Sequence, residues 1–357
     1  MTLQQQQTQA QQPEHIERIT LAHGSGGIAM RELVEKEIVA AFSNPHLAPL
    51  EDQARLDLNA LTQLGDRLAM TTDSFVVDPL EFPGGDIGSL AVNGTVNDLA
   101  MCGAKPLYLT CGLILEEGLP LDTLRRILAS MKKAADEAGV AIVSGDTKVV
   151  HKGAADKLFI NTAGVGVIPQ GADFRVSQAQ PGDVVIVNGW VGDHGATVMA
   201  TRGDLGLETS VQSDCRSLYQ EVCALMEASE VHCLRDATRG GIATVLNEFA
   251  ESSGVRIMLD QSAIPVRDEV RGVCELLGLD PLYLANEGKF LAIVPENHAE
   301  QAVEALRTLP GAEHSAIIGR VEPLTDIRPR AGVSMRTFFG SERMIDMLTG
   351  DQLPRIC

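Results

Sequence analysis

Leu234-Arg235-Asp236-Ala237-Thr238-Arg239-Gly240-Gly241 introduces a segment that decides the fold class. Ile242, Val245, Leu246 and Phe249 follow at the three-and-four spacing of a helix face, Gly254 stops that helix, and Val255 to Leu259 is an unbroken apolar run of strand length. An acid-bearing loop, a helix, a glycine stop and a buried strand therefore follow one another within about thirty residues. The same order occurs upstream. Asp122 is placed to cap a helix carrying Leu124, Ile127, Leu128 and Met131; Gly139 ends it, and Val140 to Val143 reads as a buried strand leading into Ser144-Gly145-Asp146-Thr147-Lys148. Strands alternating with amphipathic helices predict an α/β (α+β) fold. At 357 residues the chain exceeds one ordinary core, so two domains are expected.

Outward from these segments, Leu68-Ala69-Met70-Thr71-Thr72-Asp73 reads as a strand that delivers Asp73 at its end. After the Pro83-Gly84-Gly85 turn, a helix with Leu90, Ala91 and Met101 apolar carries Asn93 and Asn97 four apart on one face, with Asp98 adjacent. Phe159 to Val167 and Val184 to Val187 are further strands, separated by Pro169 to Asp173 and Pro181-Gly182-Asp183, a predicted domain junction. Residues 1–17, glutamine-rich and without periodicity, are expected to be a disordered lead-in or to follow from an upstream start codon. Domains are predicted over 18–169 and 170–350. Residues 351–357 are predicted to form a mobile tail that Pro354 keeps extended.

Hydrophobic residues make up 45% and charged residues 22%, a globular composition. A net charge of −19 disfavours nucleic acid and anionic membranes as partners, and an anionic substrate would need cations to offset the field. The cysteines number seven, form no C-x-x-C, and fit reduced thiols in a cytoplasm better than a disulfide scaffold. No apolar run reaches membrane-spanning length.

Asp73, Asp98, Asp146 and Asp236 end apolar strands or sit beside glycine or asparagine. One such aspartate ordinarily caps a helix or closes a turn, whereas four together suit Mg²⁺ shared with substrate phosphates. Gly24-Ser25-Gly26-Gly27 either aims backbone N–H groups at phosphate or is a plain turn; no G-K-[ST] follows, so it is not a P-loop. Lys148 reads as a phosphate or proton partner, or as a solvated lysine; Glu287 as a general base, or as a loop acid. His23 and His194, in glycine-rich turns, read as phosphate or substrate contacts, or as structural histidines. Cys357, the last residue, places a nucleophilic thiol on an extended tail that can reach an active site or a partner.

His23-Gly24-Ser25-Gly26-Gly27, Thr72-Asp73-Ser74, Asn97-Asp98, Gly145-Asp146-Thr147-Lys148, Gly192-Asp193-His194-Gly195, Asp236 to Gly241, Ala285 to Lys289 and the ending Pro354-Arg355-Ile356-Cys357 occur in that order. Together they resemble the superfamily of aminoimidazole-ribotide synthetase, selenophosphate synthetase and thiamine-monophosphate kinase. Within it, they resemble the carbamoyl dehydratases of hydrogenase maturation. The resemblance runs from about Ile19 to Cys357. It implies a two-domain PurM-like fold, with an N-terminal mixed-sheet domain that dimerises and a C-terminal α/β domain. It implies ATP between the domains, contacted by Gly24, Ser25, Gly26, Gly27, His194 and Thr238, with Asp73, Asp98, Asp236 and Asp146 holding Mg²⁺. It further implies a HypF-type carbamoyltransferase that loads Cys357. The thiocyanate would then pass to a HypC–HypD complex and become cyanide on the iron of [NiFe]-hydrogenase. Glu287 would be the base and Lys148 its partner. Two rival readings are an ATP enzyme of the same superfamily with a diffusible substrate, and a non-catalytic carrier of Cys357. A selenophosphate synthetase usually has cysteine or selenocysteine in its glycine-rich segment, and residues 23–27 contain none.

Overall fold

A computed structural model of the chain describes residues 17–202, 210–348, 350 and 355–357; most of the predicted lead-in, and Leu353 and Pro354 of the tail, lie outside the described residues. Two sheets carry the fold. In the first, β1 (Arg67–Phe75), β2 (Lys105–Glu116), β3 (Ala141–Val150) and β4 (Leu158–Ile168) are ordered β1-β4-β2-β3. β2 and β3 are parallel and the other pairs antiparallel, so the sheet is mixed. The second is a seven-stranded sheet built from β5 (Asp183–Val187), β6 (Cys233–Asp236), β7 (Arg256–Asp260), β8 (Phe290–Pro295), β9 (Ala316–Glu322), β10 (Gly332–Arg336) and β11 (Glu342–Ile345), ordered β11-β10-β7-β9-β5-β8-β6. Its one parallel pair is β7 with β10.

Helices α1 (Ile87–Ala100) and α2 (Leu121–Ala138) go with the first sheet; α3 (Asp193–Thr201), α4 (Tyr219–Ala228), α5 (Gly241–Ser253), α6 (Asp268–Leu277) and α7 (Ala299–Arg307) go with the second. α1 is buried nearly all round, from Ile87 to Ala100, because α2, the first sheet and the second domain each cover a side. Gly88 permits the α2 crossing: a Cβ there would lie 2.6 Å from Ile127 O. α5 ends, as its sequence predicts, at Gly254 in the left-handed conformation (φ 66°).

Three local expectations differ from the fold. Pro120, not Asp122, precedes the first residue of α2; Asp122 sits in the first turn and pairs with Arg125. The strand expected to stop at Val143 continues to Val150, because pairing with β2 runs through Gly145-Asp146-Thr147-Lys148. The apolar spacing from Met30 to Ile38 forms an α-helical turn, Ile28–Leu33, that widens into a π-wound segment, Val34–Val39.

One face of the first sheet packs on α1, where Thr162 and Thr95 are buried against each other. The other face is bare. Leu68 (58% exposed) and Met70 (77%) from β1 and Ile114 (41%) from β2 lie on it. Among the described residues no helix is long and apolar enough to cross a membrane.

Candidate active site between the two domains

The site begins where β1 and α1 meet. The register pairs Asp73 with Thr162, a residue of the covered face, so Asp73 points inward toward α1. Asp98 comes from the last turn of α1 and accepts a hydrogen bond from Thr71 Oγ1 at 2.8 Å. Asp236 ends β6, opposite Phe290 at the start of β8. Burial first, and then the charge of Asp73, raises the Asp98 carboxyl. Burial, and then Asp98, pushes Asp236 up to about 7. The charge of Asp73 thus bears on Asp98, and the charges of Asp98 and Asp73 bear on Asp236, a repulsion that a hard cation would relieve. Among the described residues no three His, Cys, Asp or Glu side chains close on a single point by themselves.

Glu287 completes the cluster from the second domain, and its loop is fixed by hydrogen bonds on every side. Asp214, itself buried, accepts from Glu287 N (3.0 Å), Gly288 N (3.2 Å) and Lys289 Nζ (3.0 Å). Asn286 accepts from Gly192 N at 2.7 Å and donates to Ala237 O at 2.9 Å. From the first domain, Asn97 Nδ2 donates to the Glu287 carbonyl at 3.3 Å, and Asn97 Oδ1 accepts from Leu218 N at 2.8 Å. The asparagines spaced four apart on α1 thus join the domains: Asn93 Nδ2 reaches Cys215 Sγ at 3.6 Å. The Glu287 side chain is 3% exposed, and its Oε1 is buried without a hydrogen-bond partner among the described residues. Burial, then Asp214, Asp236 and Asp73, holds its carboxyl well above the usual range. This is the environment of a strong carboxylate base.

The C-terminal tail enters the same site. Val76 N donates to Cys357 O (3.1 Å) and Asp78 N to Arg355 O (3.4 Å), an antiparallel pairing just beyond β1. Ile356 is buried in the apolar cluster that contains Val77, Phe82, Val198 and Ala285. The Cys357 thiol lines a cavity of ≈ 450 Å³ together with Ser74, Arg239, Gly240, Thr244 and Tyr283. Burial, then the charge of Glu287, pushes this thiol up to about 12, while Arg239 opposes the rise. Arg239 Nη2 lies 3.8 Å from Asp73 Oδ1.

The other candidate residues separate into two places. His194, buried at the start of α3, meets the tail: its Nε2 lies 2.8 Å from Ile356 O and its Nδ1 2.8 Å from Ser213 Oγ. A carbonyl only accepts, so Nε2 carries the proton, and Nδ1 of the neutral ring accepts from Ser213. Burial holds this imidazole below its usual range. Thr238 lies in the turn after Asp236, where its carbonyl accepts from Gly241 N at 3.1 Å. Gly24, Ser25, Gly26 and Gly27 sit at the far edge of the first sheet, where Gly24 abuts Val149 of β3. Asp146 and Lys148 lie on that same edge strand, paired with each other at 2.6 Å and 64% exposed. Their register partners, Gly112 and Ile114, alternate with the covered-face Cys111 and Leu113, so both face the bare side. β3 is three strand spacings from β1, about 14 Å. Within one chain this edge group is therefore not brought to Asp73, Asp98, Asp236 and Glu287. Asp214 and Arg202 escaped the sequence reading, since Asp214 belongs to no glycine motif and nothing along the chain links Arg202 to the tail; Arg239 stands in the quoted Asp236 loop, where the sequence assigns it no role.

Comparison with known proteins follows the same division. The AIR synthase related protein N-terminal domain family matches residues 51–168, and the corresponding C-terminal domain family matches 180–331. Carbamoyl dehydratase HypE of Rhodobacter capsulatus is 52% identical over 343 residues, covering 96% of this chain and 98% of that protein. A crystal structure of hydrogenase maturation protein HypE in complex with ATP superposes with a TM-score of 0.89 at 51% identity, covering 95% of this chain and 99% of that one. A chain from a HypE–HypF complex superposes with a TM-score of 0.75 at 44% identity, covering 88% and 99%.

Proposed function

Because the chain belongs to the AIR synthase related family and, within it, to the HypE carbamoyl dehydratases, we propose that Cys357 carries the carbamoyl group that this site dehydrates. The enzyme is an ATP-dependent carbamoyl dehydratase of hydrogenase maturation. The observation that carries the residue assignment is the seat of the tail: Val76 N holds Cys357 O, and the thiol lines the cavity beside Ser74 and Arg239, where the charge of Glu287 also bears on it.

The chemistry needs both groups. Hydroxide is a poor leaving group from an S-carboxamide, so the amide oxygen must first become a phosphate ester. ATP supplies the phosphoryl group. The oxygen then departs in phosphate, the nitrogen protons leave, and the sulfur-bound carbon becomes a nitrile, giving a thiocyanate on Cys357. Glu287 takes a proton from nitrogen, as its raised carboxyl suits. Burial of the tail beside it excludes water that would hydrolyse the activated amide. Asp73, Asp98 and Asp236 would hold Mg²⁺, which offsets charge on the phosphates. Thr238 and Gly240-Gly241, in the turn that follows Asp236, would contact nucleotide.

A HypF-type carbamoyltransferase would load Cys357, and a HypC–HypD complex would receive the product. The bare face of the first sheet supports a homodimer. Gly24-Ser25-Gly26-Gly27, Asp146 and Lys148, stranded at its far edge, would join a nucleotide site only across such a pairing. Domains over 18–169 and 170–350 and a cytoplasmic setting complete the reading; all seven cysteines are free thiols.

Intact mass and peptide mapping test it, after incubation with a carbamoyltransferase and carbamoyl phosphate. A carbamoyl adduct on Cys357 that loses one water only with ATP is expected. ATP consumed with no adduct on Cys357 would instead favour a diffusible substrate.

A further inference from the structure

The tail is held by contacts that read it as a peptide. Its last three residues run antiparallel to residues 76–78, which donate two main-chain hydrogen bonds to them, Val76 N to Cys357 O and Asp78 N to Arg355 O, without forming a strand. The intervening carbonyl, Ile356 O, takes the His194 Nε2 proton. Arg202 clamps both strands: its Nε donates to Asp78 O at 2.9 Å, and its Nη2 donates to Arg355 O. Arg355 Nε donates back to Val76 O at 3.4 Å, and its guanidinium pairs with Asp156 at 2.6 Å. Thus each carbonyl from 355 to 357 has a named donor, and one side chain, Ile356 (4% exposed), fills an apolar pocket drawn from both domains. Arg355 adopts a left-handed backbone (φ 56°), which a non-glycine residue sustains only where its surroundings hold it.

We infer that residues 76–78, His194 and Arg202 form a binding groove for a carboxy-terminal Arg-Ile-Cys peptide, and that the groove accepts this sequence from a second molecule as well as from its own chain. Every contact above is made by residues 355–357, and none uses the covalent connection to the rest of the protein. Main-chain pairing supplies affinity, and the Ile356 pocket supplies selectivity. The groove therefore recognises a sequence rather than an attachment point. The inference deepens the proposed function and rests on it only for the chemistry done on a peptide once it is seated.

The test uses the full chain carrying I356D, whose own tail cannot bury its side chain. The probe is a fluorescein-labelled heptapeptide of the sequence of residues 351–357, followed by anisotropy without ATP or carbamoyl donor. Saturable binding is expected. It should weaken at least tenfold when the peptide itself carries I356D, and by a similar factor when the receptor also carries H194F. Absence of saturable binding, or equal binding of the two peptides, overturns the inference. Hydrogen exchange guards against a folding defect. The Val76 and Asp78 amides should be protected in the wild-type chain, exposed in I356D, and protected again by added peptide; if peptide leaves them unchanged, the groove is not the site. These readouts involve no dehydration, so their failure leaves the carrier role of Cys357 standing, and failure of the mass experiment leaves the groove standing.

Discussion

Glu287 shows how burial and repulsion together prepare one carboxyl group for proton transfer. Its Oε1 has no hydrogen-bond partner among the described residues, and Asp214, Asp236 and Asp73 all disfavour its charge. Replacement by glutamine, E287Q, should lower dehydration by about two to four orders of magnitude while leaving carbamoylation of Cys357 intact. It should also stabilise the nucleotide-free chain. A carboxyl raised in the fold favours the native state only at low pH, and that advantage drains away as pH climbs above its ordinary value of 4.5. The gain in urea midpoint for E287Q should therefore be larger at pH 8 than at pH 5; equal gains would contradict the buried, unpaired assignment. His194 has the opposite sign. Burial disfavours its charged ring and holds its value below 6.5, so the stability that the buried neutral ring contributes is fully present above pH 6.5 and is lost as pH falls, while the bond to Ile356 O opposes the shift. Exchange at the Val76 amide, corrected for its intrinsic rate, should be faster at pH 5.5 than at pH 7.5, and H194Q should flatten that difference.

Among the elements, the loop from Asn286 to Lys289 matters most, because it carries Glu287, the proposed base, but gets its shape from elsewhere. Asp214 gathers three of its donors, and Asn97 on α1 holds its carbonyl from the other domain. Gly288 is required there: a Cβ would lie 1.9 Å from Asp214 O. G288A should cost about 1–3 kcal/mol of stability. It should also lower kcat more than KM for ATP, since the Asp73, Asp98 and Asp236 cluster is untouched. Circular-dichroism melts and steady-state kinetics check the two parts. Sequence periodicity places α2 and α5 well because each turns an apolar face inward, and most strands because their apolar runs are buried. It stops β3 at Val143 because Ser144-Gly145-Asp146 lacks apolar character; pairing with β2, a tertiary fact, carries the strand on to Val150.

For the whole molecule, the bare sheet face is the feature without a partner among the described residues. Met70, 77% exposed and opposite Val165 with Leu68 two residues away on the same face, is its most exposed apolar side chain. M70K combined with I114K should convert a dimer to a monomer in light scattering. Dehydration should fall with it if the edge group of Asp146 and Lys148 works across the pair. An unchanged mass in solution would remove the dimer reading.

The motifs alone mark Asp73, Asp98, Asp146 and Asp236 as candidate acids and Cys357 as a terminal thiol, and leave Glu287 between a base and a loop acid, because acids at strand ends or beside glycine or asparagine, and a thiol after proline, are local patterns carried by residue type. Which of them meet is a matter of faces and edges. Asp73 and Asp146 occupy equivalent-looking places in the sequence, yet one faces α1 and the other faces away from it on the opposite edge strand. Strand register decides that, and register follows from long-range pairing and from which side of the sheet the helices cover. The seat of the tail follows the same rule. Pro354-Arg355-Ile356-Cys357 announces an extended end, but only the packing of α3 against residues 76–78 brings His194 and Arg202 to the carbonyls that hold it.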